Sequence, residues 1–144
     1  MNGYLEMTYQ LPQIQEATQW LLPHLGRHPH VAFSGEVGAG KTTLIKALAA
    51  AMGYEGLVDS PTFALVSDYD LPRATIHHID LYRVKSYAEL LDLGWEEYLE
   101  TGNHVWVEWP ETVPEAFHEG FVRVGLHLNH DTEGRRLTVA LPSI

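Results

Sequence analysis

The chain of 144 residues contains no cysteine. That single absence excludes disulfides, thiolate nucleophiles and cysteine-ligated zinc, and it accords with a reducing compartment. Basic residues are also scarce, with 9 Lys and Arg against 19 Asp and Glu and a formal charge of −10. A surface of that sign repels a nucleic-acid backbone, so direct binding of DNA or RNA is disfavoured and protein partners fit better. No stretch approaches the roughly 18 apolar residues of a membrane span. The start, Met1 to Glu6, lacks a basic leader followed by an apolar core, so a soluble, cytoplasmic protein without membrane contact is expected. Repeats, low-complexity tracts and linkers are missing as well. A chain of this length buries about two-thirds of its unfolded surface, which predicts one domain over residues 1–144 with no need of a metal for folding.

What the chain does have is Gly35-Glu36-Val37-Gly38-Ala39-Gly40-Lys41-Thr42, a complete G-x-x-x-x-G-K-[ST] loop. Its context is the one the motif requires. Before it, His30 to Ser34 is a compact apolar run too short for a helix. After it, Thr43 to Met52 is strongly helix-forming and closes on Gly53, a good C-terminal stop. Glycines let such a loop turn its N–H groups inward around a β-phosphate, at the positive end of the following helix. Gly35, Gly38, Ala39, Gly40, Lys41, Thr42 and Thr43 are therefore the expected phosphate-binding set, with Lys41 on the β- and γ-phosphates and the Thr42 hydroxyl on Mg²⁺.

Magnesium is a hard cation that also takes carboxylate oxygen. Asp80 ends the apolar run Ile76 to Ile79, and Glu108 ends Val105 to Val107. A carboxylate at the carboxyl end of a strand beside the loop's own strand faces the nucleotide crevice of an open α/β sheet. Thr62, in Ser60-Pro61-Thr62-Phe63, lies about twenty residues beyond Lys41, where nucleotide switches place a threonine that senses the γ-phosphate through the metal.

The remaining patterns give the fold class. Met7 to Leu11 reads as a strand ended by Pro12, and Gln13 to Leu25 as a helix whose last turn Pro23 disfavours. Pro61 to Tyr69 and Arg73 to Tyr82 read as two strands around the turn Asp70-Leu71-Pro72. Ser86 to Glu100 is helical with an interruption at Gly94, and Val105 to Trp109 is a short buried strand. Phe121 to Asn129 and Arg135 to Leu141 alternate around Asp131 to Gly134, a closing antiparallel hairpin. The sum is an α/β domain of the P-loop NTPase-like type, a mixed β-sheet flanked by helices.

Other residues read as structural. The nine histidines include no H-E-x-x-H, and His77 and His78 alternate across a strand, so at most one faces the crevice. Trp95 and Trp106 read as core or partner-facing, and Glu96, Glu97 and Glu100 as a solvated helical face.

In order and spacing, the loop Gly35 to Thr43, Ser60-Pro61-Thr62-Phe63, His78-Ile79-Asp80-Leu81-Tyr82-Arg83 and Glu108-Trp109-Pro110-Glu111 resemble the bacterial TsaE (YjeE) family of small P-loop ATPases. Gln15 to Thr18 also resembles the family's opening motif, whereas Glu36-Val37 departs from its more usual Asp-Leu. The resemblance implies an ATPase that supports threonylcarbamoyladenosine modification of tRNA by docking on a complex of TsaD and TsaB, with tRNA met only indirectly. It further implies that Lys41 contacts phosphates, that Thr42 and Glu108 hold Mg²⁺, that Asp80 is a second essential acid, and that Trp109 and Arg135 lie near the nucleotide.

Two other classes stay open on the residues. A small-molecule kinase would need arginines that close over the transferred phosphoryl group. Arg73, Arg83, Arg123, Arg135 and Arg136 supply that type, yet no lid insertion is visible. A nucleotide-gated binding module would need the loop without turnover. A GTPase is disfavoured, since no Asn-Lys-x-Asp motif occurs.

Overall fold

A computed structural model describes residues 3–36, 38–56, 65–129 and 134–142. Among the described residues, seven strands form one sheet: β1 (Tyr4–Tyr9), β2 (His30–Gly35), β3 (Val66–Asp70), β4 (Thr75–Asp80), β5 (His104–Glu108), β6 (Val122–Leu128) and β7 (Arg135–Ala140). Their spatial order is β1-β7-β6-β2-β5-β4-β3. The four middle strands β6, β2, β5 and β4 run parallel. The flanking pairs β1–β7, β6–β7 and β3–β4 are antiparallel. Helices α1 (Ile14–Leu25), α2 (Lys41–Ala51), α3 (Tyr87–Asp92) and α4 (Trp95–Glu100) cover the two faces, joined by short 3-10 turns at Leu11–Gln13, Pro110–Thr112 and Pro114–Ala116. This is the expected mixed α/β sheet with its C-terminal antiparallel hairpin.

In β2, Val31, Ala32 and Phe33 are buried in succession, as a central strand covered on both faces requires. Val31, Phe33, Ile76 and Trp106 pack with Leu21 of α1 and with Leu44 and Leu48 of α2. On the opposite face Ala32, Ile79, Val105 and Val107 pack with Leu90, Trp95 and Phe121. Both tryptophans read as core are core, and Glu96, Glu97 and Glu100 are exposed.

Several boundaries differ from the sequence reading. The first strand lies earlier, at Tyr4–Tyr9, and Leu11 with Pro12 belongs to a 3-10 turn instead. Helix α1 runs through Pro23 to Leu25. An interior proline costs about 3 kcal/mol, and burial of Leu21 and Leu25, at roughly 1.5–3 kcal/mol each, offsets it. The helical stretch after Ser86 is two helices broken at Gly94, as expected, and Ser86 Oγ caps the first by accepting the Glu89 N–H at 3.2 Å. The two predicted strands are the β3–β4 hairpin, whose turn is closed by Leu71 N–H donating to Ala74 O at 2.8 Å. Positions 61–64 of the first prediction, and 131–133 of the tail turn, lie outside the described residues.

The parallel register positions the site. Phe33 stands opposite Glu108, and Asp80 stands opposite Glu108 on the other side. Three carboxyl-terminal strand ends therefore meet at one edge of the sheet, beside the loop that leaves β2.

At the opposite edge, His30 Nδ1 and His118 Nε2 lie 3.0 Å apart. Gly120 N–H donates to His118 Nδ1 at 2.9 Å, so a neutral His118 carries its proton on Nε2 and donates to His30. Burial pushes both histidines down, and each is lowered further by a neighbouring group, His118 acting on His30 and Arg123 on His118. A base whose folded pKa lies below its unfolded value of about 6.5 stabilises the fold above that pH and loses the contribution as pH falls through the folded value. The urea midpoint of the wild type is expected to drop between pH 7.5 and pH 5 by more than that of His118→Asn. Equal drops in the two proteins would contradict the assignment.

Candidate functional site

The loop after β2 is shaped by backbone that only glycine takes easily. Gly40 has φ +98° and stands immediately before α2. At Gly35 a Cβ would lie 2.4 Å from the Leu126 carbonyl oxygen of β6, so any side chain there would force the two strands apart. Ala39 is fully buried and contributes backbone alone. The N-terminus of α2 thus opens onto a cleft of about 450 Å³ lined by Leu11, Glu36, Gly38, Gly40, Lys41, Thr42, Thr43, Asp80, Glu108, Trp109 and Arg135.

Lys41 is 7% exposed. Its ammonium donates to the Gly35 carbonyl, spanning the loop from end to start, and lies 3.5 Å from the centre of the Trp109 ring. Burial pushes its pKa down, while Glu108, Glu111 and Asp80 hold it up. Trp109 reaches this place from a left-handed backbone, φ +61°, directly before Pro110. A non-glycine residue so placed costs of order 1–3 kcal/mol, and such conformations gather at functional sites. The Tyr82 ring, 5.0 Å away, packs on the indole from β4's end.

Glu108 is buried and Asp80 half-buried. Asp80 Oδ1 accepts the Tyr82 N–H at 2.9 Å, which turns the carboxylate back along its own chain. Burial raises its pKa, and the Glu108 charge raises it further; the Tyr82 N–H, His78 and Lys41 act the other way. Glu108 Oε2 lies 2.7 Å from Nε2 of His78, which is completely buried. Both acids therefore stand at the loop with Lys41 between charges of opposite sign.

This donor set suits Mg²⁺, which favours hydroxyl and carboxylate oxygen. Among the described residues, no group of three His, Cys, Asp or Glu side chains is placed to hold a metal by itself.

The sequence-predicted residues Gly38, Gly40, Lys41, Thr42, Thr43, Asp80, Glu108, Trp109 and Arg135 are brought together in one cleft, with Gly35 and Ala39 in its backbone frame. Arg135 begins β7, and its Nε lies 3.8 Å from where a Gly40 Cβ would stand. Thr62 lies outside the described residues. Leu11 was not singled out as a site residue in the sequence, and His78 and Tyr82 stood in the motif His78 to Arg83 without an assigned role. His78 stands two residues before Asp80 on the same strand face, a period-2 signal that was legible. Leu11 gave no such signal, being a single apolar residue beside a turn.

Residues 8–137 match the family model described as Threonylcarbamoyl adenosine biosynthesis protein TsaE. The chain belongs to the TsaE family. Three similar curated proteins bear the name tRNA threonylcarbamoyladenosine biosynthesis protein TsaE. That of Haemophilus influenzae is 39% identical over 90 residues, 60% of this chain and 57% of that protein, so less than two thirds of its length is matched. That of Rickettsia bellii is 37% identical over 102 residues, 70% of each chain. That of Bacillus subtilis is 31% identical over 103 residues, 72% of this chain and 64% of the other. Among solved structures, Bacillus subtilis YdiB superposes with a TM-score of 0.77 at 23% identity, over 99% of this chain and 88% of that one, a likeness of fold. The family match covers β2, α2, β4 and β5 whole, and with them Lys41, Asp80 and Glu108; of β7, which supplies Arg135, it covers the first three residues.

Gly40→Ala tests the loop geometry. The nearest atoms to the new methyl would be 3.8 Å away, so the penalty is conformational, about 1–2 kcal/mol. It is expected to appear as a lower urea midpoint, and an unchanged midpoint would contradict the assigned backbone.

Proposed function

We propose that this chain is a Mg²⁺-dependent ATPase of the cytoplasm, weak alone, that supports threonylcarbamoyladenosine modification of tRNA through a complex with TsaD and TsaB. The observation that carries the reading is the register of β4, β5 and β2, which sets Asp80 and Glu108 at the loop that holds Lys41. The family match supplies the tRNA-modification context. The charge of −10 supports contact with tRNA mainly through other subunits.

In this reading the amide groups of the loop and the first turn of α2 receive the β-phosphate. Lys41 exchanges the Gly35 carbonyl for the β- and γ-phosphate oxygens, a charge-assisted contact stronger than the neutral one it gives up. Thr42 and Glu108 would hold the cation, which would neutralise charge on the phosphates. Asp80, with its carboxyl held towards the protonated form by burial, would orient the attacking water, and Thr62 is the second candidate for that task. Trp109 screens the Lys41 side of the cleft from solvent. A neighbouring recess of about 460 Å³, lined by residues including Gln10, Pro12, Leu128 and Asn129, shares Leu11, Gly38 and Arg135 with the phosphate cleft and would take the nucleoside.

Phosphate release from ATP is expected to be slow for the chain alone and to rise with TsaD, TsaB and tRNA together. Transfer of the γ-phosphoryl group to a small metabolite without any partner would overturn the reading in favour of a kinase. Lys41→Ala is expected to weaken ATP binding at least tenfold, since a buried charge-assisted contact is worth about 1.5–3 kcal/mol. Undiminished ATP affinity in that variant would remove Lys41 from the site.

A further inference from the structure

The carboxylate assigned to the cation is tied from behind. Glu108 Oε2 lies 2.7 Å from His78 Nε2, and His78 Nδ1 lies 2.8 Å from the Tyr69 hydroxyl. All three side chains are buried, at 3%, 0% and 3% exposure. They come from the adjacent strands β5, β4 and β3, so the chain of contacts crosses the sheet from its edge to the cleft.

Hydrogen-bond chemistry gives this chain a direction. An ionised carboxylate only accepts, so His78 Nε2 carries a proton and donates to Glu108. In a neutral ring Nδ1 is then an acceptor, and the Tyr69 hydroxyl donates to it. The bond to His78 engages Oε2, and the other carboxylate oxygen, Oε1, takes no part in it; Glu108 itself lines the cleft. We infer that His78, held in this orientation by Tyr69, is a positioning residue that fixes the Glu108 carboxylate so that Oε1 is presented to the nucleotide-bound cation. The inference rests on the proposed role of Glu108.

Packing alone does not ask for this arrangement. Three buried polar groups in a row are often replaceable by apolar residues of similar volume without loss of stability. Here the row ends on an acid of the cleft, and a ligand oxygen that cannot rotate binds a cation with less loss of conformational freedom. The neighbouring histidine supplies an internal control. His77 has other partners, Asp68 at 2.7 Å and Asn103 at 3.2 Å, neither of which lines the cleft.

The test compares binding of a fluorescent ADP analogue with and without Mg²⁺ in full-length variants. His78→Leu and His78→Asn are expected to raise the half-saturating Mg²⁺ concentration about tenfold while metal-free affinity stays within about twofold. His78→Gln, whose amide nitrogen can stand near the place of Nε2, is expected to restore most of the Mg²⁺ response. Tyr69→Phe should shift it in the same direction by a smaller factor, and His77→Gln should leave it unchanged. Wild-type Mg²⁺ dependence in both His78→Leu and Tyr69→Phe would overturn the inference. Should the His78 variants fail to fold, ¹⁵N NMR of the wild-type ring decides, with a proton on Nε2 expected and a ring protonated on Nδ1 alone contradicting it. If Glu108→Ala itself keeps the full Mg²⁺ response, the ligand role of Glu108 fails, and this inference falls with it. If Glu108→Ala loses the response but the His78 and Tyr69 variants keep it, only the inference fails.

Discussion

Three strand ends held in parallel register constrain everything else in this molecule. The backbone ladder that sets Phe33 and Asp80 on either side of Glu108 also fixes two carboxylates near one buried ammonium. Burial and, after it, the charge of Glu108 push the Asp80 carboxyl towards its protonated form. The fold answers that repulsion locally: Lys41 lies among the acids, the Tyr82 N–H holds Asp80, and the His78 ring holds Glu108. What these contacts leave is an electrostatic arrangement that a divalent cation would complete. Under the proposed function, phosphate would sit beside that cation, at the positive end of α2.

The same edge is where the chain departs from comfortable geometry. Gly40 and Trp109 both take left-handed backbone, and Gly35 passes too close to Leu126 for any side chain. Away from this edge the sheet is packed on both faces by ordinary apolar residues. Conformational cost is therefore concentrated where ligand groups must be aimed, and the double-sided core offsets it. Trp109 shows the point well, since its backbone places the indole over Lys41 and against Tyr82 at once.

Much of this was legible in the sequence because the relevant signals are local. The loop from Gly35 to Thr42 declares itself by spacing, and an acid at the end of an apolar run declares a strand end. That rule pointed to Asp80 and Glu108, and the structure sets both in the lining of one cleft. Less legible were features set by tertiary context. The helix through Pro23 depends on burial of Leu21 and Leu25, and the early position of β1 depends on pairing Tyr4–Tyr9 with β7. The chain from Tyr69 through His78 to Glu108 joins three strands with a separation of 30 residues between its last two members. No local pattern encodes that pairing, although the shared face of His78 and Asp80 hinted at half of it.

The central claim is that the cation site lies where β4, β5 and the start of α2 converge. Manganese in place of magnesium, added with ADP to ¹⁵N-labelled protein, locates the ion by paramagnetic broadening of nearby amide signals. The account predicts that the amides of Lys41, Thr42, Asp80 and Glu108 broaden first, and that those of the His30–His118 edge stay sharp. Early broadening at that far edge, with the amides of residues 41, 42, 80 and 108 unaffected, would contradict it.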